Sequence, residues 1–171
     1  MTKKIKGVKT LNQAIYKPLA KFGISEVSLS DEYSYIFESE SITFKVTETI
    51  EDKWFMDFVK ERFNYEAEYF IMSLLHEIGH HKANDEIEGD IYNFCTNEKE
   101  RITRELENKN ITAKRARELE FQYFNLPDEI MATQWAVTYA KEHPQEIEQM
   151  WREMLPAIQD FYSVNGLGIF L

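Results

Sequence analysis

The segment YFIMSLL, residues 69–75, is apolar on every face once wound into a helix. A helix without a polar side is buried, because no part of it suits water. The chain must therefore fold around this segment. It runs directly into HEIGHH at 76–81, which sets His76 and His80 four residues apart with Glu77 beside the first. Four residues on a helix bring two side chains onto one face with Cβ atoms about 5–6 Å apart. Both imidazoles can then reach a single Zn²⁺ at roughly 2.0–2.1 Å. Glu77 sits about 100° further round the helix, where it can act on a metal-activated water without being a ligand. This is a hydrolytic arrangement: the ion makes water acidic and polarises a carbonyl, and the carboxylate serves as general base and then acid. Gly79 costs about 1 kcal/mol of helix propensity relative to Ala, which makes sense where another backbone or a substrate comes close. His81 faces away from the pair and reads as a polar surface residue. His143 has no place in the same cluster.

Around this segment the chain has the size of one domain, 1–171, with 43% hydrophobic residues, six Gly and four Pro, as expected of a folded globule. Its net charge of -10 repels phosphate backbones and anionic lipid, so neither nucleic acid nor membrane is an expected partner. The single Cys95 cannot form an internal disulfide, and no apolar run approaches the roughly 18–20 residues of a membrane span. A cytoplasmic location is expected. The start, MTKKIKGVKT, is basic but lacks the apolar stretch of a signal peptide. Residues 1–30 carry six Lys against Glu26 alone, which leaves -15 on the remainder and reads as a solvated basic arm.

The pattern predicts a first helix capped by Thr10, weakened at Pro18 and ended by Gly23. Between Ile24 and Thr49, the runs EVSLS, YSYIFE and ITFKVT are short and rich in β-branched and aromatic residues. They predict a three-stranded antiparallel meander. A capping box from Thr49 to Asp52 opens a helix through Trp54, Phe58 and Val59, and Asn64 is the expected cap of the motif helix, with Glu66 and Glu68 in its first turn. Residues 97–124 predict a charged helical hairpin with Ile102, Leu106, Ala116 and Leu119 inward. Two more helices follow over 127–141 and 145–162, with a possible bend at Pro156. The fold class expected is α+β: the small meander plus a mostly helical body around the HExxH helix.

His76, Glu77 and His80, with the apolar stem before them, make the chain resemble the zincin-like zinc metallopeptidases. The third ligand separates the subfamilies. At the metzincin positions stand Ala83 and Glu86 in place of Gly and His, although Glu86 could still coordinate. In the gluzincin pattern the third ligand is a Glu on a later helix, and NLPDEIMATQWAVTYA at 125–140 offers Glu129 followed by Ala132, Ala136 and Ala140 on one face. This segment is similar to the second motif of the ImmA/IrrE-like peptidases. The resemblance implies Zn²⁺ on His76, His80 and Glu129, with Glu77 as the catalytic base. It also implies that SITFKVT, from Ser41, edges the cleft and binds a peptide by strand addition, and that the substrate is a peptide or protein, such as a cytoplasmic regulator. Glu129 stands 49 positions after His80, more than that family's spacing, so 97–124 reads as an insertion.

A donor for the tetrahedral oxyanion is also required, and Tyr92, Tyr123 and Tyr139 are candidates. Asp85, Glu86, Glu88 and Asp90 do not match an EF-hand and read as a solvated acidic turn. Two other functions fit the sequence: a zincin-like module that binds without catalysis, and an acidic interaction protein that mimics nucleic acid.

Overall fold

A computed structural model describes residues 7–29, 34–36, 40–44, 50–83, 87–108 and 110–165, which separate into two compact units. One unit is formed by the two ends of the chain, 1–48 and 140–171, and the other by 49–139.

In the first unit, helix α1 (Val8–Leu19) buries Leu11, Ile15 and Leu19, spaced four residues apart on one stripe. It packs against α7 (Pro144–Asn165), whose Met150, Met154, Ile158 and Phe161 form the matching buried stripe. Lys17 pairs with Glu153, and Lys21 with Glu146, along the rim of this contact. The cap of α1 is Gly7, at φ 76°, rather than Thr10. This left-handed conformation suits a residue without Cβ. Pro18 falls in the last turn, and the chain tightens into a 3-10 turn at Ala20–Phe22 before Gly23, at φ 91°, ends it. Pro156 lies inside the unbroken α7.

The expected α+β architecture with an antiparallel meander does not form. The protein is mostly helical, with seven α-helices among the described residues, and its small sheet is built on a parallel pair. Strands β1 (Glu26–Leu29), β2 (Ser34–Ile36) and β3 (Ser41–Phe44) lie in the order β1-β3-β2. β3 runs parallel to β1, with Val27 opposite Ile42, and antiparallel to β2. Burial explains the order: Ile42 and Val27 are buried and Ile36 is exposed, so the inward-facing strand takes the centre and β2 an edge. Alternation in a sequence says which face is buried but not which strand is the neighbour. β3 is therefore paired on both sides, and Ser41–Phe44 has no free edge for an incoming peptide.

In the second unit, α2 (Ile50–Phe63) buries Phe55, Phe58 and Val59. Thr49, the first residue of the expected capping box, lies outside the described residues. Asn64 ends α2 in a left-handed conformation, φ 49°, with its N–H on the Lys60 carbonyl, and does not cap the next helix. That helix, α3 (Tyr69–Ala83), begins only after Glu66 and Glu68, and everything from Phe70 to Gly79 is buried. α4 (Gly89–Leu106) starts earlier than expected and pairs with α5 (Ala113–Phe124), which is capped by the Thr112 hydroxyl accepting from the Arg115 N–H. Cys95, Ile102 and Leu119 are buried between them, and salt bridges such as Arg115–Glu105 at 2.7 Å line the exposed side. α6 (Pro127–Glu142) carries Glu129 in its first turn.

One approach between helices organises this unit. A Cβ built on Gly79 of α3 would lie 2.3 Å from the carbonyl oxygen of Ala132 and 2.8 Å from its Cα. No side chain larger than hydrogen fits there, so α3 and α6 meet backbone to backbone. Ala132 and Ala136, both fully buried, supply the small residues on the α6 side. No described helix is long and apolar enough to cross a membrane.

Candidate metal centre

The α3–α6 contact brings the HExxH face of α3 against the first turn of α6. His76, His80 and Glu129 each direct a potential ligand atom into one cluster whose atoms all lie within 4.8 Å. His76 Nε2 is 3.0 Å from Glu129 Oε2 and 3.1 Å from His80 Nε2, and His80 Nε2 is 3.4 Å from Glu129 Oε1. Ligands placed 2.0–2.1 Å from a tetrahedral ion lie about 3.3–3.4 Å from one another, so these spacings suit a common ion. Two imidazoles and a carboxylate are also a donor set that Zn²⁺ accepts. The group is fit to hold a metal ion. Glu86, the other candidate carboxylate, lies outside the described residues.

The walls are formed by neighbouring helices. Phe55 of α2 meets the His76 ring edge-on, with centroids 5.1 Å apart, and Glu77 is buried beside the pair. His81 is half-buried, and His143 lies outside this unit. On the other nitrogen of His76, Nδ1 is 3.0 Å from the Thr133 hydroxyl.

α4 also contributes. Lys99 extends its ammonium group to Glu129 Oε1 and Asp128 Oδ2, 2.5 Å from each, and lies over the Tyr123 ring at 5.2 Å. Burial acts to lower the Lys99 pKa, but Glu129, Tyr123 and Asp128 outweigh it and raise it above the ordinary value. Burial would likewise raise the pKa of Glu129, yet His80, His76 and Lys99 hold it well below the usual carboxylate range. The carboxylate is thus ionised and ready to coordinate. Of the three candidate tyrosines, Tyr123 is the one whose phenol feels this centre: burial, then the charges of Glu129 and Glu77, push its pKa up, with Lys99 opposing. Tyr92 is exposed on α4, and Tyr139 stacks on Trp135. The hairpin read as an insertion therefore supplies two groups to the site.

Compared with known families, curated proteins and solved structures, the chain matches none. The site must be read from its own chemistry.

Lys99, Thr133 and Phe55 were not singled out by the sequence. Lys99 is one of several basic residues on a charged helix, and nothing in its spacing marks it. Thr133 carried a faint signal, as a polar residue set among the small buried residues of α6.

Proposed function

We propose that this protein is a zinc-dependent peptidase whose ion is held by His76, His80 and Glu129. The observation that carries this reading is the convergence of two imidazole nitrogens and the Glu129 carboxylate at spacings that suit a tetrahedral ion. Charge supports it as well. With neutral imidazoles, Glu77, Asp128 and Glu129 against Lys99 leave two negative charges in a largely buried group, and a divalent ion cancels them. When bound, zinc would lower the pKa of water and polarise the scissile carbonyl.

The chain's own residues supply the rest. Glu77 takes the proton from the attacking water and returns it to the leaving nitrogen. Phe55 packs against the His76 ring, and burial keeps the charges of the centre from being screened. Peptide or protein as substrate, and a cytoplasmic regulatory protein in particular, follow from the resemblance to the ImmA/IrrE-like group. Cys95, buried and free of any disulfide, is consistent with a reducing cytoplasm.

One observation favours a second reading. The ammonium group of Lys99 already rests on Glu129, and the same carboxylate could serve as the hub of a permanent, metal-free ion-pair network. Elemental analysis separates the two. Zinc-dependent peptidase function requires about one zinc per chain in the wild type, much less in His80→Ala and Glu129→Ala, and peptide cleavage that Glu77→Gln abolishes while retaining zinc. A wild type without zinc would favour the ion-pair hub. Zinc with equal cleavage by Glu77→Gln would leave a binding module.

A further inference from the structure

For His76 to ligate through Nε2, that nitrogen must present its lone pair, so the proton of the neutral ring must sit on Nδ1. The neighbour of Nδ1 is Thr133 Oγ1 at 3.0 Å. A hydroxyl can donate or accept, and this contact alone chooses neither. A second contact decides: Thr133 Oγ1 lies 2.8 Å from the backbone carbonyl of Glu129. A carbonyl has no proton to give, so the single hydroxyl proton of Thr133 goes to Glu129. Towards His76 the hydroxyl can then only accept, and Nδ1 must be the donor.

We propose that Thr133 is a positioning residue of the metal centre, which holds His76 in the Nδ1-protonated form and turns its Nε2 lone pair towards His80 and Glu129. Thr133 is 1% exposed, so water is poorly placed to compete for Nδ1. Phe55, whose ring packs 5.1 Å from that of His76, is a hydrocarbon and carries no lone pair for Nδ1. Thr133 and Glu129 stand one helical turn apart on α6 and address the two nitrogens of the same ring. One helix thus provides a ligand and also sets the tautomer of another ligand on α3. The role rests on the metal reading above.

Thr133→Val keeps the side-chain shape and removes the hydroxyl, whereas Thr133→Ser retains the hydroxyl. Zinc affinity is measured on the full chain by competition with a chromophoric chelator, and thermal melts of the metal-free proteins establish that each variant folds. Loss of such an outer hydrogen bond typically costs about 10–100-fold in metal affinity. That loss is expected for Thr133→Val, with Thr133→Ser close to wild type. Long-range ¹H–¹⁵N correlations of the zinc-loaded imidazoles should report His76 bound through Nε2 with a proton on Nδ1 in wild type and Thr133→Ser, and loss of that signature in Thr133→Val. A wild type that binds zinc, alongside a folded Thr133→Val with equal affinity and the same His76 signature, would overturn the role of Thr133 alone. A wild type that binds no zinc would remove the metal centre and this role together.

Discussion

Helices α3 and α4 both deliver groups to the same centre but are built in opposite ways. α3 is buried from Phe70 to Gly79 and is held against α6 with no room for a methyl group. α4 is largely solvated, buries Cys95 and Ile102, and reaches the centre through the long, flexible side chain of Lys99. The difference follows the chemistry asked of each. On the proposed reading α3 carries metal ligands, which need positions good to a fraction of an ångström, and backbone packing supplies them. A counter-charge needs only proximity, which a lysine on a surface helix can provide.

The sharpest way to break this contrast is to place an alanine on each helix in turn. Gly79→Ala should cost about 3 kcal/mol or more, because the clash is with the backbone of Ala132 rather than with a movable side chain. Zinc binding should fall with it. Asn93→Ala, on the exposed side of α4, should stay within about 0.5 kcal/mol of wild type. Denaturant melts compare the two, and equal effects would remove the distinction between the helices.

Next in size is Lys99→Met, which leaves the buried Glu129 carboxylate without its ammonium partner. The metal-free protein should lose about 1–3 kcal/mol, the usual cost of a buried polar group stranded by its partner. Added zinc should restore most of this, since the ion takes over the neutralisation. The rise in melting temperature on adding zinc is therefore expected to be larger in Lys99→Met than in wild type. An equal rise would mean that Lys99 does not compensate Glu129.

The smallest effect belongs to the exposed side of α4. The Arg115 hydrogen bond and charge lower the pKa of Glu105, so its ion pair stabilises the hairpin above the ordinary glutamate value. That contribution is lost as the pH falls through the lowered pKa. The difference in melting temperature between wild type and Glu105→Gln should be small at neutral pH and vanish in acid. A difference that persists in acid would have another source.

The buried stem of α3 was legible because six apolar residues among the seven from Tyr69 to Leu75 leave a helix no alternative to burial. The close approach at Gly79 was legible because glycine is costly within a helix and Ala132 and Ala136 offered it a facing stripe. The sheet was misread because period-two alternation is the same for a meander and for a crossover, and only the full burial of Ile42 sets β3 between its neighbours. Asn64 was misread because a polar residue between two helices can cap either of them, and its left-handed φ assigns it to the end of α2. Lys99 could not be read at all, and Thr133 only faintly. Their roles depend on distances across helices that no local pattern encodes.

His76 and Glu129 are 53 residues apart in sequence, with the whole α4–α5 hairpin between them. Contacts of such long range form late, because chain entropy must be lost before they are rewarded. α3 can become helical with its two histidines already side by side, yet the third donor is absent until α6 has docked. If the centre holds zinc as proposed, full metal affinity during refolding belongs to the assembled tertiary structure rather than to the motif helix, and zinc uptake would serve as a clock for the arrival of α6.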